Sequence, residues 1–74
     1  MKVFENSSYW EIADICTGQF FTIGRSKEMY KVIDYAKHFD STGMYDRIMV
    51  VTDSKKGYKV FKCKDLVGKK ITVY

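Results

Sequence analysis

Bond-making chemistry in this chain would have to come from its one histidine, His38, its two cysteines, Cys16 and Cys63, or a pair among its nine carboxylates. A thiol nucleophile needs a base held beside it and a group that orients the base; the spacing of Cys16, His38 and Cys63 brings no such third partner into view. His38 reads instead as a solvated or capping side chain. On an extended segment Glu11 and Asp14 would point to opposite faces, and Asp34 and Asp40 are too far apart on a helix, so no acid–base dyad emerges. The cysteines have neither a CxxC spacing nor histidine company, which leaves metal and cofactor chemistry without ligands and predicts two reduced thiols. Gly18 and Gly24 flank a strand-like segment and Gly57 and Gly68 sit in turns, so no phosphate-cradling loop is present. The expectation is a non-enzymatic protein that works through its surface.

That surface is electrically two-sided. Residues 54–74 carry seven lysines (Lys55, Lys56, Lys59, Lys62, Lys64, Lys69, Lys70) against Asp65, a balance of +6, whereas residues 1–53 sum to −2. Interleaved with Tyr58 and Phe61, these lysines combine phosphate-neutralising cations with rings that stack on bases. Lysines along a hairpin also keep an exposed strand from pairing with other chains. Arg47 is the one arginine in the last thirty residues, and base reading favours arginine over lysine. In the acidic part, Glu5, Glu11, Asp14, Asp34, Asp40 and Asp46 either solvate the surface or converge beside Tyr9, Trp10 and Tyr45 into a patch for a basic protein partner. Such a patch would use Tyr9, Trp10, Glu11, Asp14, Asp34, Asp40, Tyr45 and Asp46.

With 74 residues the chain is one domain, of a size that buries roughly 60% of its unfolded surface. Its twelve aromatic residues make a core feasible but leave little for a deep substrate pocket. No run approaches the roughly 20 apolar residues of a membrane span, and the opening Met-Lys-Val-Phe-Glu is no secretory signal, so a cytoplasmic protein is expected.

The elements that would position these groups form an α+β fold. Met29, Val32, Ile33, Ala36 and Phe39 recur at three- and four-residue spacings and predict a helix from about Lys27 to Phe39, capped by Ser26 and ended by Asp40-Ser41-Thr42-Gly43. Tyr45 to Thr52 reads as an inner strand, Asp53 to Gly57 as a turn with Gly57 at positive φ, Tyr58 to Lys64 as its hairpin partner, and Ile71 to Tyr74 as a short terminal strand. Two readings compete for residues 8–16. Ser8 and Glu11 match a capping box that opens a short helix, but a hairpin of Tyr9–Cys16 with Gln19–Ile23 is favoured. The predicted order is β-β-α-β-β, with a further terminal strand: a small antiparallel or mixed sheet with one helix on one face. The face without a helix would then be solvated or buried in a homodimer or another protein.

Length, absence of proline, the Lys/Tyr/Ile/Asp bias and the run from Tyr9-Trp10-Glu11-Ile12 through Met29-Tyr30-Lys31-Val32-Ile33 to Ile48-Met49-Val50-Val51 carry a resemblance. The chain resembles the small early proteins with which bacteriophages of low-GC hosts disable host replication or transcription, and more narrowly the staphylococcal phage inhibitors of the DNA polymerase sliding clamp. That resemblance implies a protein-binding inhibitor in the host cytoplasm, dimeric, that occludes DNA or polymerase access. It assigns no functional residue. Gln19-Phe20-Phe21 is similar to clamp-docking peptides, but it falls in a predicted strand and reads as core. The net charge of +4 departs from a simple DNA mimic, which would be acidic.

Overall fold

The computed structural model describes residues 1–74. Six strands, β1 (Lys2–Phe4), β2 (Phe20–Ile23), β3 (Tyr30–Phe39), β4 (Tyr45–Thr52), β5 (Tyr58–Lys62) and β6 (Ile71–Val73), are joined by one short helix, α1 (Tyr9–Ala13), and a 3-10 turn at Cys63–Leu66. The sheet runs β1-β6-β2-β3-β4-β5, every neighbouring pair antiparallel. Strands β2 to β5 form a meander. The 3-10 turn then carries the chain back so that β6 inserts between β1 and β2.

The sheet is curled around its core. Strands β2 and β5 lie three strand spacings apart, roughly 14 Å across a flat sheet, yet the rings of Phe21 and Phe61 are 6.4 Å apart with Tyr30 against both. On the concave side Phe21, Val32, Met49, Val51, Ile71 and Val73 pack with Ile12, Ala13 and Ile15 from the helix and its exit, and with Cys63 and Leu66 from the 3-10 turn. Helix and 3-10 turn together close the side that the sheet leaves open.

The largest departure from expectation is residues 27–39. They form no helix: Tyr30–Phe39 is the longest strand, paired with β4 from Lys31↔Thr52 to Phe39↔Tyr45. Tyr30, Val32, Ile33, Tyr35 and Phe39 have branched or aromatic side chains that fit a pleated surface. The helix-like spacing does not describe the strand's buried face: of Met29, Val32, Ile33, Ala36 and Phe39 only Val32 is buried, and Ile33, Ala36 and Phe39 are exposed. The register slips between Val32 and Asp34, leaving Ile33 as the extra residue, so the inward positions run Tyr30, Val32, Tyr35 and break the two-residue alternation. Ser26 does cap, accepting from the Glu28 N–H at 3.1 Å, but it closes a turn.

The favoured hairpin at residues 9–16 is likewise absent, and the competing helix is present. Ser8 Oγ accepts from the Glu11 N–H while the Glu11 carboxylate accepts from the Ser8 N–H, both donors of the first turn being satisfied. Its five residues persist because Ile12 and Ala13 are buried and Tyr35 Oη donates to the carbonyls of Ile12 (3.2 Å) and Ile15 (2.6 Å). Strand β4 has the expected bounds, β2 and β6 fall where strands were predicted, and β5 stops at Lys62 where the 3-10 turn begins. Strand β1 was not anticipated. Lys56, not Gly57, takes the left-handed conformation of the β4–β5 turn (φ 63°); the Asp53 carboxylate accepts from the Lys55 and Gly57 N–H groups and fixes it there.

Candidate nucleic-acid interface

Three connections meet at one end of the sheet: residues 24–29 between β2 and β3, residues 53–57 between β4 and β5, and residues 67–70 leading into β6. They are fastened to each other. The Gly24 N–H donates to the Lys70 carbonyl at 2.7 Å, and the Glu28 carboxylate accepts from the backbone N–H and hydroxyl of Ser54, each at 3.0 Å. Ser7, itself buried, anchors the third loop by donating from Oγ to the carbonyls of Leu66 (2.9 Å) and Lys69 (2.8 Å).

This end displays six exposed cations: Arg25 and Lys27, Lys55 and Lys56, Lys69 and Lys70. Within the three loops only Glu28 and Asp53 oppose them, a net +4, and both carboxylates are engaged by N–H and hydroxyl donors. None of the six cations has a carboxylate partner. The protein's one ion pair, Lys64 Nζ to Asp46 at 3.7 Å, lies towards the opposite end.

Beside this basic end the register places Phe20, Lys31, Thr52 and Tyr58 directly opposite one another across β2, β3, β4 and β5. The rows on either side of it face the core, Phe21 and Tyr30 towards the loops and Val32 and Val51 away from them, so the Phe20–Tyr58 row faces solvent. Tyr58 is 77% and Phe20 43% exposed, and the Lys31 ammonium sits 5.8 Å from the Phe20 ring centre.

The lysines singled out in the sequence therefore divide. Lys55, Lys56, Lys69 and Lys70 join the basic end with Tyr58 beside them, and Lys62 is exposed at the far end of β5. Lys59 lies over the rings of Tyr30 and Phe61, and Lys64 pairs with Asp46. Arg25 and Lys27 escaped notice because the first precedes and the second opens what read as a helix; only the strand pairing of β2 with β3 turns them towards the lysine loops.

The acidic, aromatic patch is assembled only in part. Asp34 accepts from the N–H of Tyr35, Asp40 from the N–H groups of Thr42 and Met44 and the Thr42 hydroxyl, and Asp46 is only 5% exposed. Those hydrogen bonds hold the Asp40 carboxyl below its ordinary range, the Thr42 hydroxyl contributing most. Tyr45 packs against Phe39, and Tyr9 points inward, its Oη accepting the Arg47 N–H at 3.2 Å; burial raises its phenol above the usual value. Trp10, Glu11 and Asp14 do come together, since three helical residues apart is one face rather than two. They line an open groove of about 830 Å³ with Met1, Lys2 and Tyr74 on its other side.

Cys63 is fully buried and its thiol is pushed up to about 11, by burial first, while Cys16 is exposed and His38 stands opposite Asp46 in the β3–β4 ladder. No group of three His, Cys, Asp or Glu side chains is placed to hold a metal ion, and no helix is long and apolar enough to cross a membrane. No protein-family model, no curated protein and no solved structure matches the chain.

Proposed function

We propose that the protein is a non-enzymatic binding module whose ligand is nucleic acid, held at the basic end of the sheet. One observation carries this reading: three loops, tied by hydrogen bonds, bring Arg25, Lys27, Lys55, Lys56, Lys69 and Lys70 together with no carboxylate paired to any of them. Unpaired cations clustered on one side attract a polyanion and release its counterions on contact, which makes affinity fall with salt. Lysines supply charge without the planar fork that reads base edges, so the interaction is of the backbone, not of a sequence. The test is fluorescence anisotropy with labelled oligonucleotides at rising salt, comparing the protein with a Lys55→Gln/Lys56→Gln/Lys69→Gln variant; binding that is weaker and less salt-dependent in the variant supports the reading.

A second reading rests on the groove beside α1. Trp10 is 65% exposed there, next to Glu11 and Asp14, an aromatic anchor with carboxylates at its rim. Such a site fits a basic protein surface. In this reading the chain is a phage-encoded inhibitor that occludes a host DNA-transaction factor, the replication sliding clamp being the specific partner, and acts as a homodimer in the host cytoplasm. Pull-down from a nuclease-treated bacterial lysate with wild-type protein and a Trp10→Ala variant tests it: a replication component retained by the first and lost by the second is expected.

A further inference from the structure

From the row Phe20–Lys31–Thr52–Tyr58 we infer that the nucleic acid is single-stranded, laid across the solvent face of the sheet with bases stacked on Tyr58 and Phe20. The inference rests on the nucleic-acid reading above and specifies its ligand. The two rings belong to the outermost and innermost strands of the β2–β5 meander, on the same face and in one register row, and both are open to solvent. Three strand spacings separate them, roughly 14 Å along the sheet, and on this convex side the rings splay apart rather than converge, a span that a short stretch of unstacked strand crosses.

Each component of the row has a place in that arrangement. Lys31, between the rings, holds its ammonium 5.8 Å from the Phe20 ring centre, where it neutralises a phosphate linking bases stacked on either side. Thr52, half-buried in the same row, is short enough to leave the path open. Val60, 58% exposed and two residues along β5 from Tyr58 on the same face, extends the apolar floor. The basic loops border this row, because β3 and β5 begin, and β4 ends, where those loops attach.

Duplex and single strand make different demands on such a surface. In a duplex the base faces are already stacked on one another, so only phosphates are offered and the rings go unused. A single strand uses both. The cations therefore set affinity for either form, and the rings set preference between them.

The closing experiment measures binding of a labelled oligo(dT) and of a hairpin duplex of equal charge, by anisotropy, to wild-type protein and to Tyr58→Ala, Tyr58→Trp, Phe20→Ala and Lys55→Gln/Lys56→Gln. Tyr58 is on an edge strand and highly exposed, so its substitution spares the fold; circular dichroism checks this for Phe20→Ala. Tyr58→Ala is expected to weaken oligo(dT) binding roughly 5- to 100-fold with the salt slope and the duplex affinity unchanged, and Tyr58→Trp to restore it. The lysine variant is expected to weaken both ligands and flatten both salt slopes. Equal affinity for the two ligands, or a parallel loss of both in Tyr58→Ala, overturns the single-strand inference while leaving the basic end as the site. Binding to neither ligand at low salt overturns the nucleic-acid reading itself.

Discussion

Tyr35 and Ile15 are joined by the shortest of the side-chain ties that hold the helix to the sheet: Tyr35 Oη, on β3, donates to the Ile15 carbonyl at 2.6 Å and also reaches the Ile12 carbonyl at 3.2 Å. The Ile12 carbonyl also accepts from the Ile15 N–H at 3.2 Å, whereas the Ile15 carbonyl, just beyond the helix, has this hydroxyl as its partner. Burial raises the Tyr35 phenol well above its ordinary value, and the Arg47 guanidinium stacks 4.2 Å from the ring centre on its other side.

Tyr35→Phe keeps the ring and its stacking but leaves the Ile15 carbonyl unpaired in a part-buried site. The expected cost is about 1–3 kcal/mol, read from urea unfolding, with amide exchange fastest in residues 9–15. A loss below roughly 0.5 kcal/mol would mean that water replaces the hydroxyl without penalty.

Lys56 adopts a backbone conformation that glycine takes without strain. Lys56→Gly should stabilise the protein by up to about 1 kcal/mol while weakening nucleic-acid binding, since one cation of the basic end is lost. Thermal unfolding and anisotropy on the same sample separate the two effects; a variant both less stable and unchanged in binding would contradict both assignments.

The thiols should differ sharply towards an aromatic disulfide reagent. Cys16 is exposed and should react at once, whereas Cys63 is fully buried and should react only as the protein opens. The same burial gives a pH dependence. Cys63 titrates at about 11 in the folded protein against 9.0 for the free group, so its contribution to stability is intact below pH 9.0 and is lost as pH rises through that interval to about 11. Unfolding midpoints between these values should fall more steeply for wild type than for Cys63→Ala at matched reference stability.

Asp40 has the opposite sign. Its carboxylate braces the β3–β4 turn and its pKa is lowered, so its stabilising effect is present above the unfolded value near 3.8 and fades as pH falls through the folded one. Asp40→Asn should abolish that acid-side loss, as followed by the acid unfolding curve.

Strands whose residues pair locally were legible in the sequence: Tyr45–Thr52 and Tyr58–Lys62 flank a turn whose Asp53 carries its own instructions. Strand β3 was not, because Ile33, Ala36 and Phe39, apolar but exposed, fall with Val32 at helix-like spacing, and only the partner strand β4 reveals the bulge at Ile33. The box of Ser8 and Glu11 announced α1 correctly, but a helix of five residues depends on Tyr35, which lies twenty positions beyond Ile15. Four of the six cations of the basic site were visible as charge; Arg25 and Lys27 became part of it through pairing of distant segments, and Phe20 proved to be solvent-facing where its neighbour Phe21 is core. The acidic patch forms only in part: Asp34 and Asp40 are taken by neighbouring backbone N–H groups and Asp46 is buried beside Lys64, while Glu11 and Asp14 meet Trp10 at the groove.

The central claim, that clustered unpaired cations bind a polyanion, is tested most directly by the salt dependence of oligonucleotide affinity. Neutralisation of up to six phosphates by Arg25, Lys27, Lys55, Lys56, Lys69 and Lys70 predicts a log–log slope as steep as about −4 for a single strand, reduced by charge removal at those positions. Affinity that does not change with salt, or no binding at the lowest salt, would contradict it.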